Sequence, residues 1–361
     1  MIDNTRQGQQ VTAAMLAKHA GVSRVAVYAA FNPGKKTTVG ISEKTKNKIL
    51  AAAEELGYIP NDLARTLVSG RSRNIGLLLQ SNRSAMSQQL IAACSRLFVD
   101  NGYLVISESS DEDEKREREI LNRFLIRRVD CVVISWVDEE SNADLRKQFG
   151  RCGIPIINIR NREPDFDYSA AISFDEGQVM RQICGLLARC GLRKLCYAGI
   201  GGRGNNSSRL RQHPAHILLL LAEVQQLGES AVREHSGMEL AGEVSFASAE
   251  ECRAYVRTLR DPAKRPQAIV CYNDRIAQLV TIELRLSGIR VPEEIAVTGV
   301  DGYSDRFDLV APTTVRLPVA EMAGEIYRIF SSSDYRRQLV RIAPELIERE
   351  TTPNQPQEAL S

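Results

Sequence analysis

A glycine-rich turn, four histidines and eight cysteines are the groups in this chain whose types could do chemistry. Gly199 to Gly204 reads GIGGRG. It is a G-x-G-x-x-G after an apolar run, the spacing with which backbone N–H groups can cradle a dinucleotide pyrophosphate. It lies mid-chain, however, and the next segment, NNSSRLRQHPA, is polar and then broken by Pro214. His19, His213, His216 and His235 form no cluster, and no Ser/His/Asp order accompanies them. Cys94, Cys131, Cys152, Cys184, Cys190, Cys196, Cys252 and Cys271 are scattered, with no C-x-x-C and no histidine at ligand spacing. Buried reduced thiols of a cytosolic protein are the reading that fits them. The run DEDEKRERE at 111–119 reads as the solvated face of a helix. No catalytic set and no metal site emerges.

The elements that would position any site divide unevenly in charge. Residues 1–73 contain 11 Lys+Arg and 5 Asp+Glu, a balance of +6, while the remainder carries −4. A small basic head on a slightly acidic body suggests that the head meets a polyanion. No apolar run approaches the ~20 residues of a membrane span. The start, MIDNTRQGQQ, lacks the layout of a signal peptide.

Within the head, Met15, Leu16, Ala20, Val22, Val27 and Phe31 keep helical spacing on either side of Gly21. Two short helices with a glycine turn follow, the second capped by Ser23. Ala17 is small enough for the second helix to cross, Gly21 supplies the turn angle, and Val27 faces inward. The outward residues are then Arg24, Val25, Tyr28 and Ala29, placed to enter a major groove. A third helix is expected over 42–56, with Ser42 as N-cap, Gly57 as terminator, and Ile49, Leu50, Ala53 and Leu56 as its inner face. Between them PGKKTTVGI could meet phosphates through Lys35 and Lys36. After this head comes a helix of two turns, Asn61 to Val68, flanked by Pro60 and by Ser69-Gly70. So short a helix is unstable alone in water.

From Ile75 onward short apolar runs alternate with helical stretches. IGLLL, YLVISE, DCVVIS, IPIINI, KLCYAGI, AIVCYN and EIAVTGV are the expected strands. This is the α/β pattern of parallel sheets, and a second start near Arg193 suggests two similar halves.

The residues VT…LAKHAGVS…N, SEKTKNKILAAAEELGYIPNDLARTL and IGLLL, followed in order by GIPIINI, PQAIVCYNDRIA, SGIRVPEEIAVTGVDGY, PTTVRLPVAEMA and PELIERETT, resemble the LacI/GalR family of bacterial transcriptional regulators. The resemblance runs over nearly the whole chain. It implies an N-terminal all-α helix-turn-helix head and an α/β periplasmic-binding-protein-like core of two Rossmann-like subdomains joined by three crossovers. The head is then expected over 1–58 and a hinge helix with linker over 59–73. The core is expected over 74–361, its N-subdomain about 74–172 and 316–333 and its C-subdomain about 173–315 and 334–353. The implied DNA contacts are Thr12, Ser23, Arg24, Val25, Tyr28, Ala29 and Asn32 in the head and Asn61, Ala64 and Leu67 in the hinge. Such a hinge folds only on the operator, as part of a dimer, with Leu67 as the wedge into a base step. The implied effector contacts are Arg211, Asn273 and Asp301, whose fixed donors and acceptors suit the hydroxyls of a polyol.

Several positions depart from the family. Its usual recognition helix reads roughly G-V-S-x-x-T-V-S-R-V-L-N; here Ala26, Tyr28 and Ala29 replace the Thr, Ser and Arg. An unusual operator is expected, with Arg24 the best candidate for guanine readout. In the cleft, Met86 stands where an aromatic would stack on a sugar, and Trp136, the only tryptophan, could supply the lost face. After GIPIINI the family's Asp-Arg is Arg160-Asn161. If Arg160 points inward, it and Arg211 favour an acidic sugar derivative through charge-assisted bonds. A neutral sugar held differently, or a pocket without ligand, are the alternatives. The expected protein is a cytoplasmic homodimer that binds operator DNA and a small-molecule effector, with no cofactor and no membrane partner. A dinucleotide-dependent oxidoreductase with a DNA-binding head, and a pure solute-binding module, are the rival classes.

Overall fold

A computed structural model describes residues 11–31, 40–59, 70–81, 84–138, 140–159, 169–200, 237–302, 309–333, 335 and 337–354. Asn32, the 61–68 segment with Asn61, Ala64 and Leu67, Arg160, Arg211 and most of the 199–204 turn lie outside the described residues. The chain divides into two compact units, 1–72 and 73–361.

The first unit is three helices, each started by a hydroxyl. Thr12 caps α1 (Ala13–Ala20), Ser23 caps α2 (Arg24–Ala30) and Ser42 caps α3 (Glu43–Leu56). Each side-chain oxygen accepts from a first-turn N–H that has no intrahelical partner. Gly21 closes α1 at φ 61°, a left-handed angle a glycine adopts at little cost. Leu16, Ala17, Ala20, Val27, Ala30, Ile49, Ala52 and Ala53 form the small core. The inner face of α3 is Ile49, Ala52, Ala53 and Leu56, not one that includes Leu50, which is 39% exposed. The i, i+3, i+4, i+7 stripe that starts at Ile49 leaves Leu50 one position round the helix.

The second unit holds two six-stranded sheets. The first, in the order β11-β5-β4-β3-β1-β2, is parallel in every pairing. Its strands are β1 (Asn74–Leu79), β2 (Leu104–Ser109), β3 (Cys131–Ile134), β4 (Ile156–Ile159), β5 (Ser169–Phe174) and β11 (Leu339–Ile342). The second, in the order β12-β10-β9-β8-β6-β7, is parallel except where β12 runs against β10. It comprises β6 (Lys194–Ile200), β7 (Glu239–Phe246), β8 (Ala268–Cys271), β9 (Ala296–Asp301), β10 (Thr313–Arg316) and β12 (Glu345–Ile347). Helices α4 (Ala85–Asp100), α5 (Glu114–Arg127), α6 (Ala143–Arg151), α7 (Glu176–Arg189), α8 (Ala249–Thr258), α9 (Asp274–Leu286) and α10 (Val319–Ser332) connect them.

The chain passes between the sheets three times, after β5, after β10 and after β11. The last passage lies at 343–344, because β11 pairs with β5 of the first sheet. The expected return to the C-subdomain at 334 is therefore ten residues early. The central strands are buried on both faces, as Ile75 to Leu79 and Ala296 to Asp301 show, which is why they read as unbroken apolar runs. All eight cysteines are free thiols, six of them buried.

Candidate nucleic-acid interface and effector site

The head presents one side of α2. Arg24 and Val25 are exposed and Tyr28 and Ala29 half-buried, while Ala26, Val27 and Ala30 turn inward. The Thr12 hydroxyl accepts from Met15 N at 3.3 Å, and the Ser23 hydroxyl from Ala26 N at 3.2 Å. Both oxygens hold helix starts and so fix the angle at which α2 is offered. A guanidinium at Arg24 suits a guanine edge, and an apolar Val25 suits a thymine methyl. Ala26 is buried, so the missing hydroxyl there is replaced by a packed methyl.

In the core, the effector candidates lie at the carboxyl ends of strands, where ligands of open α/β sheets bind. The two sheets treat these ends differently. Met86, in the first turn of α4 beyond β1, is half-buried against the main apolar cluster. Trp136, beyond β3, is a correction: it is 8% exposed and packs with Leu78, Ile120, Phe124 and Phe149. Its indole N–H donates to Asn158 Oδ1 at 2.7 Å, and Asn158 Nδ2 donates to the Ala170 carbonyl at 2.9 Å. A large ring whose one donor is satisfied inside is worth more to the core than at a rim. The Gln80 amide donates to the Trp136 carbonyl. Glu117 of α5, fully buried, accepts from Val137 N at 2.7 Å and from Asn142 Nδ2 at 2.8 Å. Burial raises the Glu117 carboxyl above its ordinary value, and these two bonds oppose the rise.

Asn273 lies two residues beyond β8 and Asp301 ends β9, the two strands being neighbours in the strand order of the second sheet. Asn273 is the N-cap of α9, its Oδ1 accepting from Ile276 N at 3.0 Å. The cap uses the amide oxygen and aims the residue at the helix N-terminus. Asp301 is 7% exposed and has a φ of 118°. Between them lies Asp274, which sequence reasoning missed. It is 4% exposed, and its Oδ2 accepts the Gly302 N–H at 2.9 Å. Asn273 precedes one partner of that bond and Asp301 the other, so the bond joins the two segments that carry the candidates. Burial pushes the Asp274 carboxyl up to about 7; the nearby Asp301 adds to the rise, and the Thr314 hydroxyl, Gly302 N–H and Arg349 oppose it. Thr314 does so without meeting hydrogen-bond geometry: its Oγ1 and Asp274 Oδ1 are buried without a partner among the described residues. The ND dipeptide after a strand, with glycines at 299 and 302, was the available signal. Among the described residues no group of three or more His, Cys, Asp or Glu could hold a metal ion.

Two largely parallel sheets crossed three times by the chain, following a three-helix head in the sequence, have known counterparts. A family model described as a periplasmic binding protein-like domain matches residues 185–352. The HTH-type transcriptional repressor PurR of Mannheimia succiniciproducens is 25% identical over 342 residues, 93% of this chain and 97% of its own. The crystal structure of the Lac repressor dimer bound to operator and the anti-inducer ONPF has a TM-score of 0.76 at 20% identity, covering 96% of this chain and 100% of that one. Together these matches support a LacI/GalR family transcriptional regulator. A family member from Lactobacillus casei with bound glucose shares the core, with a TM-score of 0.60 at 22% identity over 77% of this chain and 99% of its own.

The PurR relatives, named as transcriptional repressors, align along 97% of their own length, which supports a ligand-controlled, DNA-binding transcriptional regulator rather than an enzyme. The oxidoreductase alternative, which rested on the 199–204 turn, falls with that finding. No helix among the described residues is long and apolar enough to cross a membrane.

Proposed function

We propose that a homodimer of this chain represses transcription from a pseudo-palindromic operator and is controlled by a saccharide bound in the core, of an acidic class such as a uronate, a sulfated sugar or a sugar phosphate. The observation that carries the saccharide reading is the joining of the Asn273 and Asp301 segments through the Asp274–Gly302 bond. An amide and a carboxylate on joined segments at strand ends suit vicinal hydroxyls. The glucose-bound relative and the operator-bound Lac repressor dimer support the ligand class and the partners. The acidic preference rests on Arg160 and Arg211, two cations in the sequence segments that follow β4 and β6. In the head, Arg24, Val25, Tyr28 and Ala29 enter the major groove with Arg24 and Val25 at the base-reading positions, Thr12, Ser23 and Asn32 add further DNA contacts, and Asn61, Ala64 and Leu67 enter the minor groove as the hinge folds.

The test is a thermal-shift screen against neutral sugars, uronates, sulfated sugars and sugar phosphates. A ligand that binds the folded state preferentially raises Tm. A rise with acidic sugars, lost in Arg160→Ala, is the expected result. A rise with neutral sugars alone would place Arg160 outside the cleft and leave a neutral saccharide as effector.

A further inference from the structure

Asp274 touches neither base nor cleft in any role assigned so far, yet it is built into the turn that carries Asp301. Space for Oδ1 exists because residue 299 is glycine: a Cβ there would lie 2.2 Å from that oxygen. Gly302, at φ +75°, lies so close to the neighbouring strand that a Cβ would come within 2.3 Å of the Arg316 Cα. Asp301 between these glycines is held at φ 118°, with its carbonyl accepting the Leu317 N–H at 3.1 Å. A residue with a β-carbon keeps such an angle only where its surroundings over-determine it. Here the Gly302–Asp274 and Leu317–Asp301 bonds fix the N–H and the C=O of one peptide group, the one that follows the strained residue.

We propose that Asp274 is the positioning residue of the effector site, locking Asp301 and Asn273 into one rigid pair and taking up a proton from solvent when a ligand closes over them. This rests on Asn273 and Asp301 being effector contacts. The proton has a place to go. Thr314, opposite Gly299 in the β9–β10 register, sits on the side of the sheet that Asp274 occupies. Its Oγ1 and Asp274 Oδ1 are the buried, unpartnered oxygens of this corner, and the Thr314 hydroxyl, which both donates and accepts, can serve either form of the carboxyl. The charged groups that face Asp274 are Asp301 from β9, which opposes its ionisation, and Arg349 from the segment after β12, which favours it. Arg316 of β10 is engaged by Glu321 and Glu345. Burial holds the Asp274 carboxyl at about 7, so little further change is needed near neutrality. A ligand seated on Asp301 excludes water from the pair and makes a second negative charge costlier. Ligand and proton then favour each other's binding by the same factor.

Two variants of the full chain test this. Asp274→Asn keeps an acceptor for the Gly302 N–H but cannot ionise; Asp274→Ala removes the acceptor. Hydrogen–deuterium exchange without ligand reads the positioning. Corrected for intrinsic rates, protection of the Gly302 amide should change between pH 6 and pH 8 in the wild type and not in Asp274→Asn, and should fall about tenfold or more in Asp274→Ala. Protection that is the same in the wild type and both variants at both pH values would overturn the proposal. Glucose, sucrose, glucuronate and glucose 6-phosphate are then titrated by calorimetry. Whichever binds should bind the wild type several-fold more weakly at pH 8 than at pH 6, and Asp274→Asn equally at both. The same pH dependence in wild type and Asp274→Asn would also overturn it. If none of the four binds while the exchange result holds, the saccharide reading has failed and the positioning has not.

Discussion

The two halves of the core end their strands in opposite ways. In the first sheet the described polar groups beyond β1 and β3 and within β4 satisfy one another. Glu117 serves Val137 and Asn142, Trp136 serves Asn158, and Asn158 serves Ala170. In the second sheet three buried oxygens, on Asp274, Thr298 and Thr314, have no partner among the described residues, and Asp301 carries a strained backbone angle. A satisfied buried network rigidifies, whereas an unsatisfied one stores free energy that a ligand or a proton can release. The comparison says that the first half is the anvil of the site and the second half its responsive part.

Four substitutions would break or sharpen that contrast. The largest effect is expected from Glu117→Ala, which strands two buried donors and should cost about 3 kcal/mol. Urea unfolding followed by the single tryptophan would measure it, and a loss below about 1 kcal/mol would mean that the first-half network is dispensable. Next is Asp274→Asn. The folded carboxyl titrates at about 7, against roughly 3.9 unfolded. The unfolded chain therefore ionises first, and this group's contribution is most favourable below the unfolded value and declines as pH rises towards 7. At pH 8 the variant should be more stable than the wild type by about 2 kcal/mol, and the gain should shrink towards pH 5. Equal pH profiles would remove the titrating element from the second half. Trp136→Phe should cost about 1–2 kcal/mol, because Asn158 Oδ1 loses its donor inside the core. Circular dichroism melts would show it, and saccharide affinity should not move; a lost affinity would return Trp136 to the cleft. The smallest effect is a gain: Asp301→Gly should raise stability by about 1 kcal/mol through relief of strain while it abolishes saccharide binding. A destabilised Asp301→Gly would deny that the second half is strained.

The periodic parts of the fold were legible. Gly21, the hydroxyl caps and the apolar stripes set out the head, and seven unbroken apolar runs became strands. Strands β5, β7, β10, β11 and β12 were not read as strands, because edge positions and short pairings depend on a neighbour rather than on their own pattern. β7 alternates exposed and half-buried residues at a sheet edge, and β11 is only partly buried. The site was half legible for a related reason. Asn273 and Asp301 stand in motifs, but Asp274 acts through Gly299 and Gly302, some 25 residues on, and only the β8–β9 register brings them together. Trp136 was misplaced because nothing within DCVVISW shows that Asn158 waits on the far side of the ring.

The third passage of the chain has a temporal consequence. β11 supplies the outer strand of one sheet and β12 that of the other, and both arrive within residues 339–347. During synthesis neither sheet can be completed before the other, although domains generally fold as the ribosome delivers them. The two halves therefore mature together, once residues 339–347 have been delivered, and a premature stop near residue 338 would leave two unfinished sheet edges instead of one finished domain.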